Sequence, residues 1–269
     1  MSITRFDRKE LKFVVDAVQR QRLTEQLRAR LIADAHGDEE GRYPIISVYF
    51  DNADRDIYFE SLQGVKSRRK LRIRLYGDSD SRASASCFLE IKHRYGSRNV
   101  KRRVAMSIDA AMAVGRGELP DLDLNILEAL MVDEARRMVK SRGLKPACVL
   151  RYDRQAFRGA DEEADLRVTF DDGVRARARD FQPVPDDQDF DVEILAPGEC
   201  ILEVKVDEVV PFWLAELLGQ LGCTLQGNSK YRRTLEALDL VTRMPATRRV
   251  RWSADPISSV EASPASWTP

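Results

Sequence analysis

Charged side chains alternate with apolar ones inside stretches of this sequence that otherwise read as β-strands. In Lys70-Leu71-Arg72-Ile73-Arg74-Leu75 every second residue is basic, and in Leu89-Glu90-Ile91-Lys92 and Leu202-Glu203-Val204-Lys205 a glutamate and a lysine take those places. Arg8, Glu10 and Lys12 repeat the spacing near the N-terminus, as do Lys101 with Arg103, and Arg167 with Thr169 and Asp171. Alternate residues of a strand project to one face, so each stretch has a charged face and an apolar one. Arginine forks bind phosphate oxygens through two hydrogen bonds and lysines supply compact cations. Carboxylate oxygens are hard ligands that suit Mg²⁺ or Mn²⁺ bridging phosphates. Together these residues could hold a triphosphate or polyphosphate chain with a divalent metal. Glu10, Glu90 and Glu203 are the candidate metal ligands; ion pairing with Lys12, Lys92 and Lys205 is the other use open to them.

The elements that must position these side chains are mainly strands. Strand-like runs cover residues 10–15, 45–50, 70–76, 87–93, 100–107, 148–157, 166–170, 174–178, 191–194 and 201–206, separated by turn-forming clusters. Apolar stripes predict a helix starting near Asp16 (Val18, Leu23, Leu27, Leu31). A longer one carries Ile126, Leu127, Leu130, Met131, Ala135, Met138 and Val139 and ends at Gly143. A third begins at Pro211 with Phe212 and Trp213 in the core, and a short one follows Asn228 or Ser229 and carries Tyr231, Leu235 and Leu238. Helices with apolar stripes need a sheet surface to cover. If they cover the apolar faces, the charged faces point inward. The expectation is therefore an α+β protein: a closed antiparallel β-barrel with helices packed outside and charges lining the lumen. A buried cation is tolerable only when neutralised, and a polyanion would supply that.

Composition narrows the classes further. Residues 1–240 read as one domain, and residues 241–269, rich in Pro, Ser, Ala and Thr, as a disordered tail. No apolar run approaches the ~20 residues of a membrane-spanning helix, and the N-terminus lacks the layout of a secretion signal, so the expected location is the cytoplasm. Cys87, Cys148, Cys200 and Cys223 form no C-x-x-C pair, and His36 and His93 are the only histidines. That argues against a zinc site and for reduced core thiols. Lys plus Arg equals Asp plus Glu at 44 each, so the net charge attracts no polyanion; the distribution does, with six of the nine residues from Lys66 to Arg74 basic. Those basic residues alternate with Leu71, Ile73 and Leu75 instead of aromatic stacking platforms, which argues against nucleic acid.

The segments Glu10-Leu11-Lys12-Phe13, Lys70 to Tyr76, Leu89-Glu90-Ile91-Lys92, Tyr152-Asp153-Arg154-Gln155-Ala156-Phe157, Arg167-Val168-Thr169-Phe170-Asp171, Leu202-Glu203-Val204-Lys205 and Ser229-Lys230-Tyr231, in that order, resemble the VTC (vacuolar transporter chaperone) domain of polyphosphate polymerases. That domain belongs to the CYTH-like, or triphosphate tunnel metalloenzyme, superfamily. The resemblance runs from about residue 5 to residue 238. It implies an eight-stranded tunnel in which ATP donates its γ-phosphate to a growing polyphosphate chain. Lys12, Arg72, Arg74, Lys92, Arg154, Arg167 and Lys230 match the family's phosphate-holding positions, Lys101 or Arg103 matches a further basic one, and Glu203 matches its metal-binding glutamate. Lys12, Arg72, Arg74 and Lys92 are the residues expected to act on the transferred group.

One position departs from the superfamily: its hydrolases begin Glu-x-Glu-x-Lys, and here Arg8 stands in the first place. Loss of that carboxylate favours transfer to a phosphate acceptor over hydrolysis. The alternatives are a metal-dependent triphosphatase and a non-catalytic binding module for polyphosphate or inositol polyphosphates. The implied partners are ATP, polyphosphate or triphosphate, with room for a membrane-protein partner and for homo-oligomers.

Overall fold

The computed structural model describes residues 2–6, 9–77, 86–96, 98–227 and 229–241. Arg8 and residues 242–269 of the expected tail lie outside the described residues. Among the described residues eleven strands form one antiparallel sheet. They are β1 (Ser2–Phe6), β2 (Lys9–Val15), β3 (Ile32–Ala33), β4 (Arg42–Asp51), β5 (Ser67–Tyr76), β6 (Ser86–Tyr95), β7 (Arg98–Ser107), β8 (Lys145–Arg158), β9 (Arg167–Arg177), β10 (Val192–Glu193) and β11 (Cys200–Val206). The order across the sheet is β1-β7-β6-β5-β4-β8-β9-β11-β2, with β3 on β8 and β10 on β9.

The sheet curls but its ladder does not close, which corrects the expected closed barrel to an open half-barrel with helices. The reason lies at the edges: residues Ser2 to Phe6, which the sequence did not mark as a strand, pair with β7, while β2 pairs with β11. The β2 edge does approach the far half of the sheet through side chains, since Lys92 Nζ on β6, two strands in from the β1 edge, lies 3.4 Å from Glu10 Oε2 on β2. The runs at 166–170 and 174–178 are a single strand, β9, which continues through Gly173 at φ +56°, a left-handed conformation that glycine adopts at little cost.

The helices are α1 (Ala17–Arg28), α2 (Asp56–Leu62), α3 (Ile108–Gly115), α4 (Ile126–Arg142), α5 (Phe212–Gln220) and α6 (Lys230–Ala237). Asp16 and Asn125 close capping boxes on α1 and α4, Gly143 ends α4 at φ +63°, and Ser229 caps α6. Leu23 and Leu27 of α1 and Leu214 and Leu218 of α5 bury Phe13, Val168, Phe170, Leu202 and Val204 from the outside of the sheet. On the other half, α3 and α4 bury Leu89, Ile91, Val104 and Met106 with Ala111, Val114, Met131 and Val139. The apolar faces of the strands therefore lie under helices and the alternate residues turn to the concave side. Not all of each stripe is covered: Val18, Ile126, Leu127, Leu130 and Phe212 are exposed. Cys87, Cys148 and Cys200 are free and buried, and Cys223 is free and half-buried. No helix among the described residues is long and apolar enough to cross a membrane.

Candidate functional site

Register fixes which side chains meet on the concave side. Across the sheet, Arg72 stands opposite both Glu90 and Tyr49, Glu90 opposite Arg103, and Lys92 opposite Lys101. Arg154 stands opposite Asp171 and Tyr43, Glu203 opposite Thr169 and Lys12, and Lys205 opposite Arg167 and Glu10. The period-two sets read from separate segments thus lie on one continuous concave surface, to which α6 adds Lys230 at one end.

Two clusters of charge occupy it. In the first, Arg72 Nε contacts Glu90 Oε2 at 2.5 Å and Lys101 Nζ contacts Oε1 at 2.6 Å. Arg72 also donates to the Tyr49 hydroxyl at 3.2 Å, and Arg74 donates to Ser47 Oγ at 3.1 Å and the Tyr152 hydroxyl at 3.2 Å. Among the described residues the hydrogen bonds of Arg74 thus go to hydroxyls. Arg103 lies beside Glu90 in register and stacks over Phe88 at 4.4 Å. In the second cluster Glu203 receives Lys12 at 3.2 Å, Lys205 at 3.0 Å and Lys230 at 3.0 Å, with Arg154 at 3.9 Å. Arg154 grips Asp171 in bidentate fashion at 2.6 and 2.8 Å, and Lys230 contacts the same carboxylate. Glu10 joins through Lys12 and Lys92, both at 3.4 Å. Arg167 sits at the border, bonded to Asp34 at 2.6 Å and to the Tyr43 hydroxyl at 3.0 Å.

The electrostatics follow from these neighbours. Burial alone would raise the carboxyls of Glu10, Glu90, Asp171 and Glu203. Lys12 and Lys92 outweigh it and hold Glu10 at about 2, while Lys12, Lys205, Lys230 and Arg154 hold Glu203 well below the usual range. Arg72, Arg74 and Lys101 lower Glu90, and Arg154 and Lys230 lower Asp171. The acids are thus anions and the arginines remain cations. Lys101 is brought down to about 8 by burial, against the pull of Glu90. Lys92 is lowered too, because burial outweighs Glu10.

Glu10 and Glu203 come together, sharing Lys12 and Lys205; Glu90 does not join them, being held between Arg72 and Lys101. Among the described residues no group of three or more His, Cys, Asp or Glu side chains is placed to hold a metal ion. Arg151, beside this face, points outward onto Asp153 at 3.3 Å. His93 projects to the other face and meets Ser67 Oγ at 3.1 Å. Sequence reasoning gave no role to Asp171, Asp34 or the hydroxyls of Tyr43, Tyr49 and Tyr152. The signal for Asp171 was present, since it shares the period-two face of Arg167; that for Asp34 was not, because a loop residue has no strand face to read.

Fold and site together define a class: a curled antiparallel sheet whose concave face gathers arginine, lysine and a few acids from most of its strands. The VTC domain family model matches residues 7–239, and the chain belongs to that family. Among curated proteins it is similar to vacuolar transporter chaperone complex subunit 4 of Schizosaccharomyces pombe, 28% identical over 210 residues, which are 65% of this chain and 29% of that protein. The Trypanosoma cruzi subunit 4 is 30% identical over 165 residues, 51% of this chain and 20% of that one. The match thus spans less than a third of either relative's length. Among solved structures it is similar to PH1819 of Pyrococcus horikoshii (14% identity, TM-score 0.45, covering 85% of this chain and 98% of that one). It is also similar to the Hippeastrum protein HpAC1, whose description reports a dominant triphosphatase activity (18% identity, TM-score 0.46, covering 82% and 92%). At those scores the structural likeness carries no functional argument.

Proposed function

We propose that this chain is a polyphosphate polymerase, which transfers the γ-phosphoryl group of ATP to a polyphosphate chain lying on the concave face. The observation that carries this is the gathering of Lys12, Arg72, Arg74, Lys92, Lys101, Arg103, Arg154, Arg167, Lys205 and Lys230 on one surface. Membership of the VTC family and the likeness to subunits of that name support it. Arg74, whose hydrogen bonds among the described residues go to hydroxyls, is a cation ready for phosphate; Arg72 beside it and Arg154 across the face supply further forks. Transfer of a phosphoryl group through a loose transition state needs alignment and charge stabilisation more than covalent help. Arg72, Arg74, Arg154 and Arg167 would align donor and acceptor phosphates. Lys12 and Lys92 would stabilise charge on the group in transfer, with Lys101, Arg103 and Lys230 holding the flanking phosphates.

A divalent cation fits this face only alongside phosphate. Glu10 and Glu203 offer two carboxylates across β2 and β11, the number Mg²⁺ accepts when substrate phosphates and water complete its shell. Glu90, the third candidate ligand, lies apart from that pair between Arg72 and Lys101. Mg²⁺ or Mn²⁺ held there would neutralise charge on bridging phosphate oxygens. As Lys12, Lys205 and Lys230 turn to phosphate they leave Glu203, which frees its oxygens for that role. The bound chain would complete the lumen that the open sheet leaves unsealed. The same reading sets the protein at the cytoplasmic source of ATP, with a membrane protein as partner.

The experiment is a product assay with purified protein, ATP and Mn²⁺. Acid-insoluble phosphate polymer made by the wild type and not by Arg72→Ala supports the polymerase. Free phosphate without polymer assigns the face to a triphosphatase, and tight polyphosphate binding with no ATP consumed assigns it to a binding module.

A further inference from the structure

Toward the end of the concave face nearest α2 and α6 the pairing of charge changes. Register sets Arg68 opposite Arg94 and Lys70 opposite Lys92, two successive like-charge pairs between β5 and β6. Directly opposed like charges destabilise a sheet. In the centre of the face Glu90, Glu203, Glu10 and Asp171 relieve such repulsion; here, among the described residues, only Lys92 pairs with one of them. Arg68 donates to the Val65 carbonyl at 2.7 Å, Arg94 to the Gly96 carbonyl at 3.0 Å, and Lys70 to Ser61 Oγ at 3.1 Å and Ser229 Oγ at 3.2 Å. Lys92 reaches Glu10 at 3.4 Å, whereas Arg68, Lys70 and Arg94 make no ion pair with a carboxylate among the described residues. Arg94 is exposed and Arg68, Lys70 and Lys92 are partly so, so the group is open to a ligand. Uncompensated cations repeated along two strands make a surface that an extended polyanion would neutralise.

We propose that Arg68, Lys70, Lys92 and Arg94 form a second anion site, continuous with the central one, which holds the part of a linear polyphosphate chain that extends beyond the phosphates at Arg72 and Arg74. It rests on the reading that the concave face takes polyphosphate, and adds that longer chains are preferred to triphosphate through this extension. Lys92 links the two sites, because it belongs to the like-charge pairs and also touches Glu10. Burial and the nearby Lys92, Arg68 and Lys12 push the Lys70 ammonium down to about 7, which is the electrostatic strain that a phosphate beside it would relieve.

The test compares binding of tripolyphosphate and of long-chain linear polyphosphate, by titration calorimetry on the full chain. The variant is the triple substitution Arg68→Gln, Lys70→Met, Arg94→Gln, which leaves every central residue in place. The expected result is unchanged tripolyphosphate affinity and a loss of roughly tenfold for the long chain, as three partly exposed ion pairs would give. Long-chain affinity equal to wild type overturns the second site while leaving the central one standing. A wild type that binds neither ligand overturns the underlying polyphosphate reading. Should the triple variant not fold, single variants decide: Lys70→Arg keeps the long-chain preference and Lys70→Met weakens it, and equal preference in both overturns the proposal.

Discussion

The outer and inner faces of the same strands differ in what each residue is for. On the outside, Leu202, Val204, Phe13 and Val168 are buried under α1 and α5, and Leu89, Ile91 and Val104 under α3 and α4. One residue away on the inside stand Glu203, Lys205, Lys12, Arg167, Glu90, Lys92 and Arg103. The outer face gains free energy by leaving water, at about 25 cal/mol per Å² of apolar area. The inner face loses free energy by the same move unless each charge finds a partner. The difference teaches that stability and ligand recognition are separable in this sheet, except where an inner charge is itself buried with its counterion.

Arg154→Ala should break that separation most strongly. It leaves Asp171, 0% exposed, with Lys230 as its remaining cation, and loss of one partner of a buried pair costs about 3–5 kcal/mol. Denaturant unfolding should register that loss together with weaker phosphate binding; unchanged stability would mean that the pair contributes nothing to the fold. Leu202→Ala should sharpen the contrast from the other side. Removing this fully buried side chain should cost about 2–5 kcal/mol of stability, with tripolyphosphate affinity of the folded protein unchanged. Arg74→Met is the inner-face counterpart. Arg74 makes no ion pair with a carboxylate among the described residues, although it helps hold Glu90 as an anion, so stability should change less than in Arg154→Ala, while affinity for tripolyphosphate should fall about 10- to 100-fold, as the loss of charge-assisted hydrogen bonds implies.

The smallest effect is a proton linkage. Lys70 faces Arg68 on its own strand, Lys92 on β6, Lys12 on β2, Asp51 at the end of β4, Ser61 on α2, and Ser229 and Tyr231 at α6. Its ammonium is pushed down to about 7 by burial and by those cations, and a bound phosphate would raise it again. Long-chain affinity should therefore be full below pH 7 and decline as the pH rises above it, with proton uptake on binding visible in calorimetry as a dependence on buffer ionisation heat. Lys70→Arg, which stays charged, should remove the part of that dependence that tripolyphosphate binding does not share, Lys101 near 8 accounting for the rest.

Much of this arrangement was legible in the residues because period two fixes facing once a strand is recognised. The inward set at Arg72, Arg74, Glu90, Lys92 and Glu203 follows from alternation alone, and Asp16, Gly143 and Ser229 mark helix ends by local chemistry. What escaped depends on contacts distant in sequence. Helix α2 is held by Asp51, whose carboxylate accepts from the backbone N–H groups of Ile57 and Tyr58 and from the Tyr231 hydroxyl; nothing within its seven residues announces it. Strand β1 is defined by the free edge of β7, and the same edge decides whether the sheet closes. Periodicity shows which side of α4 is apolar but not how far a neighbour covers it, so Ile126 was expected inside and is 80% exposed. The separation of Glu90 from Glu10 and Glu203 likewise depends on the order of strands across the sheet, which alternation does not encode.

Besides the inner face, a groove of about 960 Å³ between α1, β4 and β8 could take a polyanion: it carries Arg20, Arg28 and Arg42 and is also lined by Tyr43 and Arg154. The first three arginines are already engaged, Arg20 with Asp172 at 3.0 Å and Arg28 and Arg42 with Glu40 at 2.5 and 2.9 Å. A crystal structure with tripolyphosphate bound therefore tests the central claim most directly. The expected result is phosphate density on the inner face, in contact with Arg72, Arg74, Arg154 and Lys12 and with Glu203 released from its lysines. Density in the groove beside α1, with the inner ion pairs intact, would contradict it.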